Sequence, residues 1–208
     1  MRPIFPSSRF PSAGGYLDQY AEELAAAFAS IDRAQVDAAT AILGHAQKED
    51  ATIFCCGNGG SAAIANHMVC DHQKGLNADT HFRPRVVSLS SNVEVITAVS
   101  NDCGYAEVFA FPLRIHGRKG DVLVAISSSG DSENIVRALQ AASDLGMRTI
   151  ALTGFGGGRG RGMADVAIHV DGWNYGIVED THQACMHVMA QYLRLGAIPE
   201  GLLGQRRF

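Results

Sequence analysis

Histidine and carboxylate side chains occur at helical spacing in two parts of the chain. His67 and Asp71 are four residues apart in a helix-like segment, so both side chains lie on one helix face. Glu179 and His187 lie in a second helix-like segment, where eight residues correspond to ~12 Å of helical rise. Imidazoles and carboxylates transfer protons in general acid–base catalysis, and both are ligands of zinc. These four residues are therefore candidates for proton transfer and for metal binding.

Two loops rich in glycine and serine each connect an apolar run to a helix-like segment. The first loop is Gly57-Asn58-Gly59-Gly60-Ser61 and the second is Ser127-Ser128-Ser129-Gly130-Asp131-Ser132. Glycines let the backbone approach an anion, and the start of a helix offers free N–H groups. The first loop lacks the GxGxxG dinucleotide pattern, and no Walker pattern is present. The two loops predict a phosphate site whose residues are Asn58, Gly59, Gly60, Ser61, Ser127, Ser128, Ser129 and Ser132.

Short apolar runs alternate with helix-like segments after Asp50. The runs are residues 51–56, 86–89, 121–126, 149–152 and 166–170, and the last helix-like segment spans residues 179–195. Because parallel strands require crossover connections, this alternation predicts a doubly wound α/β sheet of about five parallel strands with helices on both faces. Ligands of such folds bind at the carboxyl ends of the strands, where both loops lie. The glycine-rich segment 155–162 is typical of a flexible loop.

The length of 208 residues fits one domain with additional helices. Residues 1–15 contain three prolines and are predicted to form an irregular arm, and residues 16–208 are predicted to form the domain. The apolar periodicity from Tyr16 to Gln47 predicts two amphipathic helices before the sheet. These helices either cap the domain or pack against another subunit.

The composition excludes several classes of protein. A net charge of −4, with scattered basic residues, argues against nucleic-acid binding. No apolar run approaches the ~18 residues of a membrane helix, and prolines interrupt the segment where a signal peptide would be apolar. The five cysteines include no CxxC pair, which argues against a disulfide framework or a structural zinc site. We expect a cytoplasmic protein without a membrane partner.

Four segments together resemble the phosphoheptose isomerases of the sugar isomerase (SIS) domain family. They are CGNGGSAAIANH, VSND, ISSSGDSENIVRAL and GMRTIALTG, and the resemblance extends from about residue 16 to residue 195. It implies a homotetramer with active sites at subunit contacts that converts sedoheptulose 7-phosphate to a glycero-manno-heptose 7-phosphate. It also implies that Asn101 and Asp102 lie near the sugar hydroxyls.

The sequence departs from the family pattern at two positions. Asp71 stands where the family has glutamate, and Glu179 stands where it has glutamine. Aspartate is one methylene shorter, and a displacement of about 1 Å can cost ~100-fold in rate. Some phosphoheptose isomerases carry zinc at the matching positions, and two imidazoles with two carboxylates suit this ion. The predicted zinc ligands are His67, Asp71, Glu179 and His187.

The leading hypothesis is isomerisation of an aldose and a ketose through an enediolate. Asp71, or Glu179 if the geometry requires it, is the predicted base, and His187 is the predicted acid. Two alternatives stay open: a non-catalytic SIS regulator resembling the bacterial protein that binds the replication initiator, and an isomerase of another phosphosugar. The retained set of histidines and carboxylates favours an enzyme over the regulator.

Overall fold

The structure, a computed structural model that describes residues 4–208, contains one parallel sheet of five strands. The strands are β1 Thr52–Gly57, β2 Arg85–Ser88, β3 Val122–Ser127, β4 Arg148–Thr153 and β5 Val166–His169. Their spatial order is β2-β1-β3-β4-β5, and every neighbouring pair is parallel. Each predicted apolar run coincides with a strand, and the predicted doubly wound sheet is confirmed.

Helices connect the strands and flank the sheet. The α-helices are α1 Ala13–Ser30, α2 Arg33–Lys48, α3 Gly60–Cys70, α4 Val93–Cys103, α5 Ala110–His116, α6 Glu133–Asp144, α7 Gly158–Met163 and α8 Tyr175–Leu195. A π-helix, Asp71–Leu76, continues α3, and short 3₁₀-helices span Tyr105–Glu107 and Glu200–Leu202. The two predicted helices before the sheet are thus α1 and α2. None of the helices formed by residues 4–208 has the length and apolar character needed to cross a membrane.

Side chains that alternate along the strands build two hydrophobic cores, one on each face of the sheet. In β1, Ile53 and Cys55 face the first core, whereas Phe54 and Cys56 face the second. Helices α1, α2, α3 and α8 cover the first face, and α4, α5 and α6 cover the second. Burial on both faces explains why residues 53–56 of β1 form an unbroken apolar run.

Two helices begin earlier than their apolar periodicity predicts, because polar residues cap them. Ser12 accepts a hydrogen bond from the Gly15 N–H at 3.1 Å, so α1 begins inside the predicted arm. Asn174 accepts from the Ile177 N–H in the same way, so α8 begins before the predicted start at residue 179. Residues 1–3 of the arm lie outside the described residues, and the division at residue 16 stays a prediction.

The glycine-rich segment 155–162 is not a loop throughout, and this prediction is wrong for its second half. Residues from Gly158 onward form α7, and the Gly160 N–H donates to the Gly130 carbonyl at 2.8 Å. A Cβ on Gly130 would lie 2.0 Å from the Gly157 oxygen, so two backbones are in direct contact here. The glycines therefore hold α7 against the second serine-rich loop.

Candidate active site

The first glycine-rich loop makes a tight turn between β1 and α3. Gly59 has a φ of +55°, a left-handed conformation that favours glycine. A Cβ on Gly57 would lie 2.5 Å from the Ser61 backbone oxygen, which leaves no space for a side chain. The turn brings the start of α3 to the carboxyl edge of the sheet, where its N–H groups suit an anion.

The second loop, which follows β3, uses two of its serines to build the turn and leaves a third one available. Ser127 Oγ accepts from the Gly130 N–H at 3.1 Å, and Ser129 Oγ accepts from the Asp131 N–H at 3.2 Å. Ser128 is 5% exposed, and its Oγ has no hydrogen-bond partner among the described residues. A buried hydroxyl without a partner is costly, so Ser128 fits a ligand that accepts its hydrogen bond.

The two loops meet at one cavity of about 280 Å³ at the carboxyl ends of β1 and β3. All eight residues that the sequence predicts for the phosphate site line this cavity, which we call the phosphate cavity. Its lining consists of Asn58, Gly59, Gly60, Ser61, Ile126, Ser127, Ser128, Ser129, Ser132, Tyr175 and Glu179. The cavity has hydroxyls, an amide and helix starts, which are the groups expected to bind a phosphate.

Glu179 is the carboxylate of the phosphate cavity. It lies in α8, and its Oε2 atom occupies the space next to Gly60, 2.1 Å from where a Cβ on that glycine would be. Burial raises the pKa of Glu179 above its ordinary value, and the neighbouring Asp180 raises it further. A carboxyl group with a raised pKa in a ligand cavity is a candidate for proton transfer.

His67, Asp71 and His187 form a compact cluster that joins the end of α3 to α8. His67 Nε2 lies 3.2 Å from Asp71 Oδ1, and His187 Nε2 lies 3.3 Å from Asp71 Oδ2. The two Nε2 atoms are 3.2 Å apart, and Gln183 Nε2 lies 2.9 Å from that of His187. Asp71 begins the π-helix, a form often found at functional sites.

The cluster opens on a different cavity from that lined by the serines. Asp71 and His187 line a space of about 480 Å³ together with Lys74, Gln191 and Arg194. His67, Asp71 and His187 each have a potential ligand atom within 4.8 Å of the others. Among residues 4–208, Glu179 does not belong to this group. Helical rise separates Glu179 from His187 by ~12 Å, which agrees with the position of Glu179 outside the cluster.

The geometry of the cluster fits zinc with three protein ligands. Zinc binds imidazole nitrogen and carboxylate oxygen at about 2.0–2.2 Å, so neighbouring ligand atoms of a tetrahedral site are about 3.3 Å apart. The two Nε2 atoms are 3.2 Å apart, which matches this spacing, and each of them lies 3.2 or 3.3 Å from a different oxygen of Asp71, so either oxygen could serve as the third ligand atom. A site with three protein ligands leaves the fourth position for water or substrate, as in catalytic zinc sites.

Asn101 and Asp102 are not part of the phosphate cavity of a single chain. Both are exposed near the end of α4, and Asn101 Nδ2 donates to Asp102 Oδ1 at 2.7 Å. A role of these residues near the sugar hydroxyls stays a prediction.

Sequence reasoning missed several residues around the site. Tyr175 lines the phosphate cavity, and Gln183 contacts His187 from one helical turn earlier. Asn134 pairs with Asn58, and Tyr105 donates to the same amide. The spacing of four residues between Gln183 and His187 was a visible signal, whereas the contacts to Asn58 depend on the tertiary fold.

Comparisons with known proteins agree with this architecture. The SIS domain family model matches residues 15–154. The phosphoheptose isomerase of Vibrio parahaemolyticus is 38% identical over 162 residues, which cover 77% of this chain and 83% of that protein.

Solved structures of phosphoheptose isomerases are also similar to this chain. The structure from Neisseria gonorrhoeae has a TM-score of 0.78 and is 31% identical to this chain. The match covers 86% of this chain and 95% of the Neisseria chain. The structure from Francisella tularensis has a TM-score of 0.79 and is 29% identical to this chain. The match covers 88% of this chain and 99% of the Francisella chain. The fold, the serine-lined cavity and these relatives agree, and the chain belongs to the phosphoheptose isomerase family of SIS-domain enzymes.

Proposed function

We propose that the protein isomerises sedoheptulose 7-phosphate to a glycero-manno-heptose 7-phosphate through an enediolate. The observation that carries this proposal is the phosphate cavity, which combines two serine-rich helix starts with a carboxyl group of raised pKa. The phosphate is bound by residues remote from the reacting carbons, and this binding energy orients the sugar for proton transfer. Retention of the histidine and carboxylate side chains favours this enzyme over a non-catalytic regulator.

We assign Glu179 as the base that moves the proton between C2 and C1. Asp71 contacts both cluster imidazoles, whereas Glu179 lies apart from them in the phosphate cavity. The carboxylate removes a proton from C1 of the ketose, which gives the enediolate. The resulting carboxylic acid, whose proton exchanges with solvent, protonates C2, and the hydroxyl proton passes from O1 to O2 to give the aldose. Ser128 Oγ donates to the phosphate, and Ser61 and Ser132 complete its hydrogen bonds.

We propose zinc as the cofactor, held by His67, Asp71 and His187. One ligand atom from each of the three residues lies within 4.8 Å of the others, and two imidazoles with a carboxylate are ligands that zinc prefers. When bound, zinc would act as a Lewis acid on the carbonyl of a substrate that extends from the phosphate cavity to the cluster, and so lower the barrier to proton removal. In the metal-free alternative, His187 is the acid partner and Asp71 orients its imidazole.

A homotetramer in the cytoplasm completes the proposal. Exposed apolar side chains on α8, including Val188, Tyr192 and Leu195, support self-association, as does Leu17 on α1. A location in a reducing compartment is supported by five cysteines that are all free.

The test is incubation of the purified protein with sedoheptulose 7-phosphate in deuterium oxide, followed by NMR of the sugar. We expect an aldose phosphate product with deuterium at the carbon beside the carbonyl. Pentulose and hexulose phosphates serve as controls for substrate length. Exchange with one of these sugars alone would identify another phosphosugar as the substrate, and no exchange with any sugar would support the regulator.

A further inference from the structure

Asn58 of the first loop and Asn134 of α6 exchange two hydrogen bonds. Asn58 Nδ2 donates to Asn134 Oδ1 at 3.0 Å, and Asn134 Nδ2 donates to Asn58 Oδ1 at 2.9 Å. Asn134 is 2% exposed, and it is not among the described residues that line the phosphate cavity. A reciprocal pair of hydrogen bonds therefore joins Asn58, a half-buried residue of that cavity, to the buried Asn134.

Tyr105 adds a third hydrogen bond to the same amide. Its hydroxyl donates to Asn58 Oδ1 at 2.8 Å, so this oxygen receives two donors and its acceptor capacity is filled. A side-chain NH₂ group has two hydrogens, and Asn58 uses one of them for Asn134. The second hydrogen is left for a ligand, because Asn58 itself lines the phosphate cavity.

We propose that Asn134 and Tyr105 are positioning residues of the isomerase, which fix the Asn58 amide so that its second N–H serves the phosphate end of the substrate. This inference rests on the proposed function. The pair also links the two serine-rich and glycine-rich loops, because Ser132 immediately precedes α6 and Asn134 lies in the first turn of that helix. A hydrogen-bonded link between the loops sets the distance between the groups that face one phosphate.

Graded substitutions test how the pair acts. Asn134→Asp keeps the acceptor for Asn58 Nδ2 but loses the donor, whereas Asn134→Leu loses both hydrogen bonds at similar volume. We expect Asn134→Leu to raise KM for sedoheptulose 7-phosphate by about 10-fold, with kcat within about threefold, because the unpaired amide loses its orientation. We expect Asn134→Asp and Tyr105→Phe to raise KM by smaller factors.

A control on the same helix separates positioning from a general loss of stability. Ile135→Val removes one methylene from the core beside Asn134, and it should lower Tm without changing KM. The variant with Asn58→Ala and Asn134→Leu together should have the KM of Asn58→Ala alone, because Asn134 acts through Asn58. Equal KM values for Asn134→Leu and Ile135→Val, or additive effects in the double variant, would overturn the inference.

Calorimetric titration with inorganic phosphate gives a readout that does not depend on turnover. We expect Asn134→Leu to weaken phosphate binding by about the same factor as it raises KM. If the unmodified protein binds phosphate but turns over no heptose phosphate, the proposed function fails while the positioning role is still tested by this titration. Unchanged phosphate binding in Asn134→Leu would refute the positioning role by itself.

Discussion

His67 Nε2 and His187 Nε2 lie 3.2 Å apart, although 120 positions separate the two residues in the chain. Asp71 offers one carboxylate oxygen to each imidazole, at 3.2 and 3.3 Å. Two imidazole nitrogens and a carboxylate converge here, which suits one positive species that they share. That species is either a proton or a metal ion, and the two alternatives predict different experiments.

We expect the protein, purified without chelator or metal-affinity resin, to contain about one zinc ion per chain. His187→Ala should lose the metal because it removes one of three ligands, whereas Glu179→Gln should keep it because Glu179 lies outside the cluster. Elemental analysis of the three proteins measures this difference. A metal-free protein that still isomerises a heptose phosphate after chelation would exclude the metal and leave His187 as the acid.

Gly60→Ala should abolish most activity at little cost in stability. The added Cβ would occupy the position of the Glu179 carboxylate, 2.1 Å from its Oε2 atom. The end of a flexible side chain moves more easily than backbone, so the carboxylate should be displaced while the fold persists. We expect a fall in kcat of ~100-fold, as for a comparable misplacement of a reacting group.

A glycine elsewhere provides the matched control for this substitution. A Cβ on Gly156 would meet no atom within 4 Å, and its φ is not in the left-handed region. Gly156→Ala should therefore retain both kcat and Tm. A Gly60→Ala protein with the normal kcat would contradict the assignment of Glu179 as the base.

Two buried histidines should make the fold sensitive to mild acid. Burial lowers the pKa of His72 and of His182 to about 4, from an ordinary value of 6.5. Because both pKa values are lower in the folded protein, the unfolded chain binds more protons as the pH falls below 6.5. The contribution to stability is thus present above pH 6.5 and is lost between pH 6.5 and 4, by about 2 kcal/mol per histidine at pH 5.

His72→Leu isolates one of these contributions. Neither ring nitrogen of His72 has a hydrogen-bond partner among the described residues, so leucine removes the titration without leaving another group unpaired. Urea unfolding at pH 7.5 and 5 should show a smaller loss of stability on acidification for His72→Leu than for the unmodified protein. The exposed His116, changed to leucine, is the control and should not alter the loss.

Arg159→Ala should weaken substrate binding by loosening the second serine-rich loop. Arg159 Nε lies 2.5 Å from Asp131 Oδ1, and its Nη1 lies 3.0 Å from Glu133 Oε2. Because these groups are exposed, we expect only a roughly threefold increase in KM. Arg161 on the same helix makes no ion pair within residues 4–208, so Arg161→Ala is the control, and equal effects would contradict this role of Arg159.

Light scattering should show four times the 22.1 kDa chain mass. Tyr192 is 66% exposed on α8, between the exposed Val188 and Leu195 on the same helix face. Tyr192→Glu should lower the mass because it places a charge in the proposed contact. A monomer at micromolar concentration would refute the tetramer.

The sheet was predictable because each strand is a short apolar run that ends in glycine or serine. The position of the phosphate cavity could be predicted from the sheet, because the carboxyl ends of parallel strands meet at one edge. Helix starts were less predictable, because Ser12 and Asn174 extend α1 and α8 by hydrogen bonds that hydrophobic periodicity does not register.

The cluster could be predicted only in part. The spacing of His67 and Asp71 gives one shared helix face, but the contact with His187 depends on how α8 packs against α3. The separation of Glu179 from this cluster agrees with helical rise, which was computable in advance. The role of Gly158 in α7 escaped prediction, because glycine-rich sequence alone does not reveal close backbone contact with Gly130.

The distance along the chain between His67 and His187 determines when the cluster can exist in a growing polypeptide. Ribosomes add about 5–20 residues per second, so roughly 6–24 s pass between synthesis of the first histidine and the second. During that interval the nascent chain presents only His67 and Asp71, and it has no α8 to bury the first face of its sheet. The cluster of His67, Asp71 and His187 is therefore completed only when α8 has left the ribosome and packed against α3.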